Sequence, residues 1–266
     1  MGSRAIELPE REALVIKLSD VQVRLQYRSR VRQRLMVLDY SRLHGPTWGR
    51  RRALGRPAPC PTGQAAASAA IDYAVAMDDR APQIVAFAGS LRRESYNRRL
   101  LRYAIDGART AGGDVEELGP GHLALPLYNA DLEQEGRFPE DVTAWRELIA
   151  RCDGLLIAAP EYNHGMPGVL KNAIDWASRP PNAFSGKVAA SFGTTPGAFG
   201  TARSQTSLRA TLLALNVWLV PRTVLIPHAR EAFDGAGDLK NERQARELAA
   251  LGTALANAVR AGIGKL

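Results

Sequence analysis

The chain has 266 residues, 45% hydrophobic and 23% charged, with a formal net charge of +8. That balance excludes a wholly disordered or fibrous chain and supplies enough apolar residues for a sizeable core. There is no uncharged apolar run of about 18 residues to make a transmembrane helix, and two cysteines, Cys60 and Cys152, make neither a disulfide framework nor a four-ligand zinc site.

The positive charge is unevenly spread. Residues 1–76 carry 13 Lys and Arg against 6 Asp and Glu, whereas residues 77–266 carry 22 against 21. The basic character therefore belongs to the first part of the chain. Glu7, Glu10 and Glu12 stand where the apolar core of a secretory signal would begin, so a cytoplasmic setting is expected. Val21, Val23, Leu25 and Tyr27 alternate with Gln22, Arg24, Gln26 and Arg28, as in a strand. Gly-Arg-Arg-Arg at 49–52, Pro57, Pro59, Pro61 and an Ala/Ser run at 65–70 then read as linker. Residues 1–76 are expected to be an Arg-rich extension, disordered or lying upstream of the true start. A basic arm for nucleic acid or a membrane surface is the competing reading. Arginines with almost no interleaved aromatics argue against it, so neither a membrane nor nucleic acid is expected as a partner.

From residue 77 to 266 the pattern is that of one domain. Ile84–Phe87 is a short buried strand, followed by a helix over Tyr96–Ala111. Asp114–Leu118 is a weaker strand, and a proline-rich loop leads to a helix over Val142–Cys152. Gly154–Ala159 is wholly apolar, as a strand buried on both faces must be. A helix from Gly168 to Trp176, a strand over Val188–Phe192, a helix over Ala202–Leu215, a strand within Trp218–Leu225 and a closing helix over Asn241–Ala261 complete the order. Strands alternating with helices predict an α/β fold: a doubly wound, five-stranded parallel sheet covered on both faces. Ligands of such sheets bind beyond the carboxyl ends of the strands, where the strand order reverses.

Three loops follow strands and could bind a ligand there. Gly89-Ser90-Leu91-Arg92-Arg93-Glu94-Ser95-Tyr96-Asn97 opens a helix. Its hydroxyls, guanidinium and free backbone N–H groups suit a phosphate, while the plain alternative is a capping loop with Ser95 as N-cap. Pro160-Glu161-Tyr162-Asn163, continuing through His164, Gly165, Met166 and Pro167, offers irregular backbone to the edge of a planar heterocycle and Tyr162 as a stacking face. The plain alternative there is a turn ahead of a helix. Gly193-Thr194-Thr195-Pro196-Gly197-Ala198-Phe199-Gly200 permits close backbone approach. Taken singly these are weak signals. Together, on one rim, they read as a mononucleotide site of flavodoxin type.

The blocks G-S-x-R-x-x-S-x-N (Gly89 to Asn97), P-E-Y-N (Pro160 to Asn163) and P-G-x-L-K-N-A-I-D-W (Pro167 to Trp176) carry a family resemblance. Residues 83–261 resemble the NAD(P)H-dependent FMN reductases, with their flavodoxin-like chromate, quinone and azo-dye reductases. The resemblance implies that Ser90, Arg92, Ser95 and Asn97 hold the FMN phosphate. Pro160, Glu161, Tyr162 and Asn163 would line the isoalloxazine, and the loop with Gly193, Thr194, Gly197 and Gly200 would close over its other edge. It further implies hydride transfer from NAD(P)H through FMN to a small acceptor (quinone, chromate, azo dye or flavin) in a ping-pong cycle, in a homodimer or homotetramer. No side-chain catalyst or metal is implied. Two departures stand out. Gly165 replaces a serine common among relatives, and the third loop opens Phe192-Gly193-Thr194-Thr195 where relatives commonly begin with serine. A flavodoxin-like electron carrier without turnover is the alternative function. The near-neutral charge of residues 77–266 disfavours it. A third reading makes the Arg-rich extension a nucleic-acid arm with the flavin domain as sensor. Cys152 is expected to be core packing and His164 a solvated loop residue.

Overall fold

The computed structural model describes strand backbone at residues 4–7, 13–19, 22–28 and 33–39, and residues 80–133 and 137–264 throughout. The chain divides into two units, Met1–Cys60 and Pro61–Leu266. In the first, β1 (Arg4–Glu7), β2 (Ala13–Ser19), β3 (Gln22–Arg28) and β4 (Gln33–Asp39) run antiparallel in sequence order. The alternating stretch seen in the sequence is β3, and its register sets Val23, Leu25 and Tyr27 opposite Leu18, Ile16 and Leu14. The Gly/Pro/Arg-rich stretch at 49–70 lies outside the described residues.

The second unit carries the α/β pattern: β5 (Gln83–Ala88), α1 (Tyr96–Thr110), β6 (Asp114–Glu117), α2 (Glu140–Arg151), β7 (Gly154–Ala158), α3 (Gly168–Ala177), β8 (Val188–Thr194), α4 (Ala202–Ala214), β9 (Trp218–Leu219), β10 (Val224–Ile226), α5 (Ala229–Ala232) and α6 (Glu242–Arg260). Every pairing is parallel, in the order β6-β5-β7-β8-β10. That is the flavodoxin-like 2-1-3-4-5 order, whose switch point lies between the first and third strands. Here these are β5 and β7.

The predicted fifth strand is split. β9 pairs with the start of β8 and β10 with its end. Leu219 stands opposite Ala189 and Val224 opposite Phe192. The four residues Val220–Thr223 thus face two on β8. Pro221, which lacks an N–H, sits in the excess and interrupts the ladder.

Alternation on the strands divides the core. Ile84, Ala86, Ala88, Leu156, Ala158, Val188, Ala190 and Phe192 pack with α1 and α6. Val85, Phe87, Leu155, Ile157, Ala159 and Ala189 pack with α2, α3 and α4. On this second face Phe87 meets Trp145 edge-on at 5.3 Å, and the indole N–H of Trp145 donates to the Ala173 carbonyl at 2.7 Å. Each strand buries side chains both ways, which is why the central strands read as unbroken apolar runs.

On the first face α1 and α6 are in backbone contact. A Cβ on Gly107 would lie 1.9 Å from the Ala249 carbonyl oxygen, and one on Gly252 would lie 1.9 Å from that of Ala104. The Thr253 hydroxyl donates to the Gly107 carbonyl at 2.9 Å across the same crossing. These two glycines set how close the helix that follows β5 comes to the closing helix. Gly107→Ala is accordingly expected to destabilise the fold by about 1–3 kcal/mol, the usual cost of overpacking, seen as a lower urea midpoint. Gly121→Ala, whose methyl meets nothing within 4 Å, should leave the midpoint nearly unmoved.

Candidate functional site

Three loops leave the carboxyl ends of β5, β7 and β8. In the first, the Gly89 N–H still donates to the Ala158 carbonyl at 2.9 Å, and a Cβ there would press to 2.9 Å on Leu170. Ser90 is buried. Its hydroxyl accepts the Arg92 N–H at 3.3 Å and lies 3.2 Å from the Tyr162 hydroxyl. Ser95 occupies the N-cap position of α1 but makes no side-chain capping hydrogen bond, which departs from a plain capping loop. The open N-terminus of a 15-residue helix attracts anions. Arg92 is exposed beside it, and its guanidinium has no partner among the described residues.

Asn97 sits differently from a phosphate ligand. Its side-chain NH2 donates to the Thr194 carbonyl at 2.9 Å, and its side-chain oxygen accepts the Thr194 N–H at 2.9 Å. The amide spans from α1 to the end of β8, leaving the backbone of Asn97, rather than its side chain, to face an anion.

The second loop is a tight turn. Tyr162 and Gly165 exchange backbone hydrogen bonds at 3.1 and 3.0 Å. The two central residues, Asn163 and His164, are left-handed at φ 47° and 65°, as a type I′ turn requires. The left-handed positions therefore fall on Asn163 and His164 and not on Gly165. Gly165 has no neighbour but Tyr162 within 4 Å of its Cβ position, so a serine there would fit. Tyr162 is 46% exposed, and His164 is largely solvated.

Glu161 reaches away to another loop. Its carboxylate accepts the N–H groups of Arg203 at 3.0 Å and Ser204 at 3.2 Å, so it caps α4 from outside that helix. The Arg203 guanidinium adds an ion pair at 3.4 Å. Returning the tie, the Ser204 hydroxyl donates to the Pro160 carbonyl at 2.8 Å. Sequence reasoning missed Arg203 and Ser204. Thr201 at the N-cap position of α4 makes no side-chain capping hydrogen bond; the cap comes instead from 42 positions earlier.

The third loop starts later than expected. Gly193 and Thr194 belong to β8, opposite Leu225 and Ile226. The bare face of Gly193 is taken up by protein: a Cβ would lie 2.2 Å from the Ala159 carbonyl oxygen and 2.7 Å from the Thr201 hydroxyl. Gly200 is left-handed at φ 55° and tight against Ile226 and Pro227. Gly197 is the one of the three with open space above it, and Thr195, at 3.9 Å, is its nearest neighbour. The Thr194 hydroxyl donates to the Ile226 carbonyl at 2.7 Å.

Each pair of loops is thus joined: first to second through Ser90 and Tyr162, first to third through Asn97 and Thr194, second to the third's helix through Glu161. The group fits a ligand with an anionic end at α1 and a flat part along the other two loops. Cys152, by contrast, is buried at the far end of α2. Its thiol donates to the Ile149 carbonyl, and burial pushes it up to about 11, which makes it packing rather than a nucleophile. Asn97→Ala would strand both backbone groups of buried Thr194 and is expected to cost about 2–4 kcal/mol, read in denaturant unfolding. Asn97→Asp, which sets a carboxylate oxygen against the buried Thr194 carbonyl, should cost at least as much.

The sequence model of the NADPH-dependent FMN reductases matches residues 82–231. An NAD(P)H-dependent FMN reductase of Pseudomonas aeruginosa is 48% identical over 168 residues, covering 62% of this chain and 88% of that protein. A 2-hydroxy-1,4-benzoquinone reductase of a Burkholderia species is 40% identical over 163 residues, covering 60% and 86%. Among solved structures, the flavoenzyme NAD(P)H:(acceptor) oxidoreductase of Paracoccus denitrificans superposes with a TM-score of 0.58 at 33% identity, over 67% of this chain and 97% of that one. The matched residues include all three loops, and the chain belongs to the NADPH-dependent FMN reductase family of oxidoreductases, whose cofactors are FMN and NAD(P)H.

Proposed function

We propose that the chain carries electrons from NAD(P)H to a small acceptor through FMN held on the joined rim of β5, β7 and β8. The observation that carries this reading is the mutual tying of the three loops around an uncapped helix N-terminus and the unpartnered Arg92. Ser90, Arg92, Ser95 and the backbone at Asn97 would take the phosphate through charge-assisted hydrogen bonds. The backbone of Pro160–Asn163 would meet the edge of the ring system, and backbone groups between Thr194 and Gly200 would flank it. When bound there, FMN supplies hydride chemistry that lets NAD(P)H and the acceptor react in turn, in ping-pong order.

The chain's own part is orientation. Asn97 fixes the distance between the anion-binding helix and the third loop, and Glu161 fixes the second loop to α4. Both side chains are taken up by these ties. Quinones are favoured as acceptors because several relatives are named quinone reductases; chromate, azo dyes and free flavin are further candidates. We assign the activity to residues 77–266, in a cytoplasmic homodimer or homotetramer. Among the described residues no helix is long and apolar enough to cross a membrane.

The test is the visible spectrum of the full chain reconstituted with FMN and followed anaerobically on adding NADPH and then NADH. Flavin bands that bleach and then recover with a quinone support the reductase, and the faster donor identifies the nicotinamide. Bands that bleach with neither donor would leave an electron carrier. Absence of FMN binding would overturn the reading. Arg92→Ala is expected to weaken FMN binding by about 1.5–3 kcal/mol, measured by quenching of flavin fluorescence.

A further inference from the structure

Phe199 is 65% exposed on the rim that carries Tyr162. Its backbone is tied down. The Phe199 carbonyl accepts the Ala202 N–H at 3.1 Å, and the Gly197 carbonyl accepts the His228 N–H at 3.2 Å. Gly200 and Thr201, which follow, are both left-handed, at φ 55° and 74°. The Arg203 guanidinium lies over the Phe199 ring, 4.6 Å from its centroid. That guanidinium is paired in turn with the Glu161 carboxylate, whose side chain is only 9% exposed. A nearly buried carboxylate, a guanidinium and an aromatic ring are thus stacked outward from the second loop to the third. The stack holds the ring in a fixed attitude while most of it stays in solvent.

Aromatic faces are electron-rich and pair best, offset, with electron-poor rings. We infer that Phe199, backed by Arg203 and Glu161, selects the flat, electron-poor six-membered ring of a quinone acceptor, a chemistry it shares with the oxidised nicotinamide left after hydride transfer. This rests on the reductase reading above and adds a specificity residue to it. Arg203 and Glu161 act through Phe199 as positioning residues. Tyr162, the exposed aromatic of the neighbouring loop, bounds the same rim.

The experiment uses the full chain loaded with FMN, without turnover, and follows binding by saturation-transfer NMR. Menadione is the quinone probe, and NADP+ is the nicotinamide probe. Transfer to the ring protons is expected in the wild type, lost in Phe199→Ala and kept in Phe199→Tyr. Loss with menadione alone assigns the face to the acceptor, loss with NADP+ alone to the donor, and loss with both to a shared place. In turnover, the ratio of kcat/KM for menadione to that for ferricyanide, an acceptor with no ring, should fall about tenfold in Phe199→Ala and recover in Phe199→Tyr. Unchanged transfer with an unchanged ratio overturns the inference. So does a fall in FMN affinity that accompanies the loss, because Phe199 would then be structural. A wild type that takes up no FMN overturns the reductase reading itself, and is seen before any variant is made.

Discussion

The side-chain amide of Asn97 is the tie on which the rest of the rim depends. At the end of β8 the neighbouring β7 has already stopped at Ala158, and the Ala159 N–H donates to the Phe192 carbonyl as the last rung. Thr194 therefore emerges with one edge of its backbone unpaired, inside the protein. An amide carries one donor and one acceptor on the same side and so substitutes for the missing strand. Because Asn97 is on α1, satisfying Thr194 also sets where that helix begins relative to the loop after β8. Gly107 and Gly252 act on the same helix from its other end by letting α6 come into backbone contact. The position of the α1 N-terminus is thus determined at both ends by short-range constraints that tolerate little adjustment.

Much of the second unit was legible in the sequence because burial on both faces leaves an unmistakable mark. Gly154–Ala158 has no polar side chain, and α6 repeats its apolar positions at helical spacing, so over residues 83–215 and in α6 the strand and helix boundaries fell within one or two residues of those observed. The split of the fifth strand was hidden. Val220 and Val224 both look like strand residues, and only the pairing partners on β8 reveal that four residues face two. The three loops could be found by their place after strands. The division of labour inside them could not. Asn97 and Glu161 look like ligand groups from their residue types, yet their partners are backbone atoms far along the chain. Gly193 looks like a residue kept small for a cofactor, yet Ala159 and Thr201 occupy the space beside it. Sequence patterns report which residues are polar and where they cluster; they do not report which polar groups already have partners.

Glu161 shows how the structure fixes a loop without regular secondary structure. A carboxylate is the strongest acceptor available for a helix N-terminus, and here it comes from the turn after β7 rather than from the residue preceding the helix. The turn itself uses two left-handed residues, Asn163 and His164, which cost backbone energy that a glycine would avoid. Such a turn persists when its surroundings over-determine it. The paired backbone bonds of Tyr162 and Gly165, with Glu161 and Pro160 both bound to α4, provide that.

The interruption between β9 and β10 also bears on how the molecules behave at high concentration. An open sheet offers unpaired N–H and C=O groups along its outermost strands, and a flat, continuous margin invites another chain to add on. Here one margin is the three-residue β10, preceded by Pro221 and by carbonyls of Val220 and Pro221 that the Arg209 guanidinium already engages. The other is the four-residue β6, with carboxylates at Asp114, Glu116 and Glu117. Neither gives an incoming strand a run long enough to register against. Both borders thus carry the features that discourage strand addition, shortness and a proline on one side and carboxylates on the other.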